Sequence, residues 1–106
     1  MQYQRVYEPE TLTRDALDGR KGLTLVEFGA NWCGYCIAAQ PDIEKAVNAM
    51  PEGSHLKIED GPGRRLGRSF RVKLWPTLIA MRDGQEIGRA VRPDQNALTA
   101  LLATIS

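Results

Sequence analysis

A chain of 106 residues with a net charge of +1, 42 % apolar and 25 % charged residues has the balance of a globular domain. One domain spanning residues 1–106 is expected, large enough to bury roughly two thirds of its unfolded surface without cross-links. Acids and bases are spread along the chain, which argues against the electrostatic footprint of a nucleic-acid-binding or membrane-surface protein, and neither partner is expected. The start, Met1 to Tyr7, carries no long apolar run and no small-residue cleavage site, and no later stretch is long and apolar enough to span a bilayer. A cytoplasmic, monomeric protein is the expectation.

In chain order, residues 2–7 read as a short strand. Thr13 caps a short helix through Asp15, Ala16 and Leu17 that stops near Gly19 and Gly22. Leu23-Thr24-Leu25-Val26-Glu27-Phe28 places large apolar groups on both faces of the pleat, the pattern of a central strand covered on both sides. Gly29 to Gly34 is a loop. Ile37, Ile43, Ala46 and Val47 predict a helix to about Met50 with Pro41 inside it, ended by Pro51 and Gly53. His55 to Glu59 alternates as a strand does, and Asp60-Gly61-Pro62-Gly63 forms a turn. A short helix follows, with Leu66 and Phe70 on one side and Arg64, Arg68 and Arg71 on the other. That basic row is the wet side of an amphipathic helix or, in a second reading, a site for an acidic partner. Pro76 to Met81 and Glu86 to Val91 are strands joined by Asp83-Gly84, a hairpin signal. A helix from about Asp94, with Leu98, Leu101, Leu102 and Ile105 inward, closes the chain. The alternation predicts an α/β fold, a central mixed sheet with helices on both faces.

The chain has two cysteines, Cys33 and Cys36, two residues apart. In a reducing compartment such a pair is catalytic or metal-binding rather than a structural staple. A structural zinc site takes four ligands, and Cys33, Cys36 and His55 are the only soft donors, so no metal is expected. The pair stands where a buried strand gives way to a helix. A helix N-terminus favours a thiolate there. Cys33, expected to be exposed beside Trp32, is the natural attacking sulfur. Cys36, one turn further in, is close enough to resolve the resulting mixed disulfide.

Trp32-Cys33-Gly34-Tyr35-Cys36 after an apolar strand, Pro41 five residues past the second cysteine, and Pro76-Thr77 opening a later strand resemble the thioredoxin family from about Leu23 to the end of the chain. The resemblance implies the thioredoxin fold and a thiol–disulfide oxidoreductase that reduces protein disulfides through a reversible Cys33–Cys36 disulfide. It implies no other cofactor, and an electron donor such as a thioredoxin reductase. Pro76 then matches the family's cis-proline facing the disulfide, the other reading being a trans proline at a strand start. Glu27 matches an aspartate that exchanges a proton with the second cysteine. Buried in its strand, Glu27 is expected to have a raised pKa and to act as general acid–base for Cys36, unless it snorkels to the strand edge. His55 matches a lysine near that acid; a solvated histidine at a strand start is the expectation for it, with an interaction with Glu27 as the second reading.

The substrate groove implied by the same resemblance involves Trp32, Gly34, Tyr35, Trp75, Pro76, Thr77 and Arg92. Several of these depart from the family pattern. Tyr35 replaces a proline, as in bacterial periplasmic disulfide isomerases, which favours a less reducing potential. Trp75 replaces an aliphatic residue; it walls an apolar groove with Trp32 or packs on its loop. Arg92 stands where a glycine lets the substrate backbone approach, and Gly29 replaces a tryptophan. A disulfide isomerase or oxidase, and a thioredoxin-fold module that only binds a protein partner, are the alternative readings.

Overall fold

The computed structural model describes residues 1–105. Eight elements follow one another: α1 (Arg14–Asp18), β1 (Leu23–Gly29), α2 (Gly34–Asn48), β2 (Ser54–Glu59), α3 (Arg65–Ser69), β3 (Thr77–Arg82), β4 (Gln85–Val91) and α4 (Gln95–Ala103). The four strands form one sheet in the order β2-β1-β3-β4, with β1 and β2 parallel and the other neighbours antiparallel.

The expected division of β1 into two apolar faces is what organises the molecule. All seven of its residues are buried. Leu23 and Leu25 pack with Leu78, Ala80 and Ala90 against Ile43 and Val47 of α2 and Leu98 and Leu101 of α4. Val26 and Phe28 pack on the opposite face with Ile79 and Met81 against Leu17 of α1 and against Leu66 and Phe70, in and just after α3. Helices therefore cover both faces, as a strand without a polar face requires. Thr13 and Asp94 cap α1 and α4 by accepting from the backbone N–H of Ala16 and Ala97. Ile105 is buried although α4 ends at Ala103, and Leu102 is only half-buried.

The expected strand over residues 2–7 does not form. Only Glu8 makes a parallel bridge, to Ile58. The backbone groups that a ladder needs are taken by side chains instead. Gln4 N donates to His55 Nδ1, Tyr7 N donates to Asn31 Oδ1, and the Arg5 carbonyl accepts from Lys57 Nζ. The segment thus runs along the molecule as a strap that meets the sheet through side chains.

The hairpin reading of Asp83-Gly84 holds, with φ of 51° and 81° at the two residues. The turn packs on the end of α1, where a Cβ on Gly84 would fall 1.8 Å from the Asp18 carbonyl oxygen. Gly84→Ala combines a left-handed φ with a backbone clash and is expected to cost about 2–4 kcal/mol. Urea midpoints of the variant and the parent, at equal slope, measure this.

Candidate active site

Helix α2 begins at the carboxyl end of β1, and Cys33 is its N-cap residue, with φ −77° and ψ 121°. Both cysteines are free thiols. The expected exposure of Cys33 is not found. It keeps 8 % of its surface, because the neighbouring Ala30, Tyr7 and Trp75 pack around it, whereas Cys36 keeps 1 %. Cys33 is still the sulfur nearer to solvent. Burial raises the Cys36 thiol to about 11, reinforced by the neighbouring Cys33 and opposed by the Ala30 backbone N–H and by Tyr7.

Aromatic rings stand beside the thiols. Trp32, 75 % exposed, meets Trp75 edge-on with ring centroids 5.7 Å apart. Trp75 is anchored by its indole N–H, which donates to Asp60 Oδ2 at 2.8 Å, and packs against the buried cluster of Tyr7, Ala30, Cys33 and Cys36. On the other side the Arg92 guanidinium lies 3.8 Å from the centre of the Tyr35 ring. Arg92 has a φ of 46°, the conformation for which glycine is the usual residue. It is held there by two hydrogen bonds, from its backbone N–H to the Pro76 carbonyl at 2.8 Å and from Nε to the Trp75 carbonyl at 2.9 Å. The Trp75–Pro76 peptide bond is cis. A Cβ on Gly34 would meet nothing within 4 Å, so that side of the helix start is open.

Thr77 does not join the groove. It is buried, and its hydroxyl donates to the Leu74 carbonyl at 2.6 Å. Among the described residues, Trp32, Tyr35, Ile37, Leu74 and Val91 are exposed large apolar side chains in the segments next to the cysteines and the cis-proline, and Val6 is a further one elsewhere. The basic row lies to one side of those segments. Arg64, Arg68 and Arg71 line, with Lys73, Asp60 and Trp75, a groove of about 520 Å³.

Beneath Cys36 lies the acid. Glu27 is fully buried on the α2 face of β1, so it does not snorkel, but its surroundings reverse the expected shift. Burial alone pushes the carboxyl up. Hydrogen bonds from His55, Tyr7 and Gln40 and the charge of Lys57 outweigh this and hold it below the usual carboxylate range. His55 Nε2 donates to Oε1 at 2.9 Å, Gln40 Nε2 donates to Oε2 at 2.9 Å, and the Tyr7 hydroxyl donates to Oε2. Lys57 Nζ stands 4.0 Å from Oε2.

His55 is therefore not a solvated residue. It keeps 2 % of its surface. Its Nδ1 accepts from Gln4 N, which puts the ring proton on Nε2, facing the carboxylate. Lys57, directly opposite Glu27 in the β1–β2 register, joins it at the acid. Burial pushes the Lys57 ammonium down, partly countered by the charges of Glu27 and Cys36.

Sequence reading missed Tyr7, Gln40 and Lys57. Gln40 follows Cys36 by one helical turn, and Lys57 follows His55 by two residues on a strand, so both were reachable from spacing. No local signal marks Tyr7, because its place depends on how the amino-terminal strap is laid down.

Two thiols at a helix start, a buried acid close to the inner one, and exposed aromatic side chains beside the outer one define a dithiol–disulfide exchange site on a four-stranded mixed sheet. Residues 7–105 match the thioredoxin family model. The chain is 36 % identical over 83 residues to thioredoxin of Chlamydia muridarum, covering 77 % of this chain and 81 % of that one. Against thioredoxin H2-1 of Oryza sativa it is 29 % identical over 91 residues, 86 % of this chain and 66 % of the rice protein. Among solved structures, reduced thioredoxin 2 of Pseudomonas aeruginosa superposes with a TM-score of 0.85 at 51 % identity, covering 97 % of each chain. The chain belongs to the thioredoxin family and is a thiol–disulfide oxidoreductase. The match begins sixteen residues before Leu23, at Tyr7.

Glu27 links this site to stability. Its pKa is lower folded than the roughly 4.3 expected unfolded, so its contribution is complete above that value and is lost as pH falls below it. Glu27→Ala leaves the buried Lys57 charge without its counter-charge and is expected to cost about 3–5 kcal/mol at pH 7. Urea unfolding at pH 7 and pH 3.5 checks both statements: the parent loses stability between the two pH values, and the variant loses less.

Proposed function

We propose that Cys33 attacks one sulfur of a protein disulfide, and that Cys36 attacks the resulting mixed disulfide, releasing the substrate as a dithiol and leaving Cys33–Cys36 oxidised. The observation that carries this is the pair of free thiols in the first turn of α2, Cys33 keeping some surface and Cys36 almost none. The attacking sulfur must meet a substrate, and the resolving sulfur only has to meet Cys33.

In this reading Trp32, Gly34, Tyr35, Trp75, Pro76 and Arg92 receive the substrate. The apolar side chains exposed around the groove support a protein as the substrate, since such a cluster on a small domain marks a docking surface. Thr77 holds the turn below them. Glu27, kept as a carboxylate, is in the form that accepts a proton as Cys36 reacts; the lowered pKa supports a base rather than an acid. The redox-active dithiol is the whole of the chemistry, with no metal or organic cofactor. Among the described residues no cluster of three or more histidine, cysteine or carboxylate side chains is placed to hold a metal.

The same reading makes the chain a single, monomeric domain. It works in the cytoplasm and is re-reduced by a dithiol donor of the thioredoxin-reductase kind. Among the described residues no helix is long and apolar enough to cross a membrane.

Cys33→Ser is expected to abolish the protein's acceleration of insulin reduction by dithiothreitol. Cys36→Ser is expected to accumulate a covalent complex with the substrate, visible by non-reducing electrophoresis and dissolved by excess thiol. Equilibration in glutathione and dithiothreitol buffers gives the potential. A value near about −270 mV supports a reductant, whereas one between about −180 and −120 mV replaces that direction with oxidase or isomerase work.

A further inference from the structure

A thiol as enclosed as Cys36 holds its proton, its pKa raised to about 11, so it becomes a nucleophile only if that proton leaves as the new S–S bond forms. The hydrogen-bonding partners of the Glu27 carboxylate are His55, Gln40 and Tyr7. Of these, Tyr7 also packs against Cys36, in one buried cluster with Ala30 and Cys33, and its hydroxyl acts on the Cys36 thiol. Gly29 makes this contact possible. A Cβ there would lie 2.6 Å from the Tyr7 hydroxyl oxygen and 2.7 Å from Cys36 Sγ, so the two atoms share the volume that any side chain at this position would fill. The phenol is itself buried, and the Lys57 ammonium lies 4.3 Å from the centre of its ring. Burial and the Glu27 charge keep the phenol protonated, so its proton is always present to be passed on.

We infer that the Tyr7 hydroxyl is the relay that carries a proton between Cys36 and Glu27 in the resolving step. The inference rests on the reading of Cys36 as the resolving thiol. As the Cys36 S–H bond breaks, its proton passes to the Tyr7 oxygen and the Tyr7 proton passes to Glu27 Oε2. The S–H electron pair forms the bond to Cys33 Sγ. The bond between Cys33 and the substrate breaks, and its pair leaves on the substrate sulfur, which takes a proton from water. When a donor dithiol later opens the Cys33–Cys36 bond, the pair returns to Cys36 and the proton comes back from Glu27 through Tyr7. Because Glu27 is held low and Cys36 high, the transfer is uphill in the resting dithiol. It proceeds only as bond formation removes the basicity of the sulfur. The titratable groups facing this path are Glu27 from β1, His55 and Lys57 from β2, Cys33 from the start of α2, and Tyr3 from the amino-terminal strap.

Tyr7→Phe keeps the ring and removes the relay. The test is stopped-flow reaction with 5,5′-dithiobis(2-nitrobenzoate), in which the first thiolate released reports attack by Cys33 and the second reports resolution by Cys36. In the variant the first phase is expected at the parental rate and the second about 10²-fold slower at pH 7, the deficit shrinking as pH rises toward the Cys36 value. Glu27→Gln is expected to slow the second phase similarly, and the double variant to be no slower than either single one. A second phase of parental rate in Tyr7→Phe, or effects that multiply in the double variant, overturns the relay. Should either variant not fold, the parent in D2O decides: a slower second phase with an unaltered first supports the relay, and two unaltered phases overturn it. Absence of the first phase in the parent would instead remove the exchange reading, and the relay with it.

Discussion

One carboxylate without access to water constrains the arrangement of the active half of this molecule. Taking the Glu27 charge out of solvent is costly unless donors meet it from several directions. Here they come from three separate stretches of chain: Tyr7 from the strap, Gln40 from α2, and His55 and Lys57 from β2. Each donor is itself tied down. His55 accepts from Gln4 N, Gln40 Nε2 also donates to the Cys36 carbonyl, and Lys57 donates to the Arg5 carbonyl and to Gln40 Oε1. The network therefore fixes the strap against the sheet edge and sets the rotation of α2, and with it the depth of Cys36. No buried side-chain polar atom among the described residues lacks a hydrogen-bond partner, so the cluster is fully connected.

The two sulfurs differ because the helix carries them to different depths over this network. Cys33 is at the cap, beside the open surface at Gly34, while Cys36 is one turn in, over the Tyr7 phenol and the Glu27 carboxylate. A chemically symmetric pair is thereby made unequal, which is what an ordered sequence of attack and resolution needs. Above the pair, Arg92 provides the second constraint. Its left-handed backbone would be easier for glycine. Its hydrogen bonds to the carbonyls of Trp75 and Pro76 and its stacking on Tyr35 join the end of β4, the loop before β3 and the start of α2 into one rim.

Much of this was written locally. Both faces of β1 are apolar in the bare sequence, and that alone requires helices on either side of the sheet. Thr13, Asp94 and Asp83-Gly84 carry short-range signals that the structure honours as two caps and a hairpin turn. Cys33, Cys36, Pro41 and Pro76 stand at spacings that identified the family before any coordinates. Residues 2–7 failed as a strand because local patterning cannot tell that His55, Asn31 and Lys57 would claim the backbone groups of Gln4, Tyr7 and Arg5.

Fold class and the position and spacing of the two sulfurs are legible in the chain, since period, caps, turns and a two-residue spacing are properties of neighbouring residues. The tertiary structure alone decided the charge state of Glu27, the burial of Cys33 and His55, and the presence of Tyr7 beneath Cys36. Desolvation and hydrogen bonding depend on which distant groups converge in space. A glutamate in an apolar strand has a raised pKa if it stands alone and a lowered one if three donors and an ammonium reach it, and only the folded chain brings those groups together.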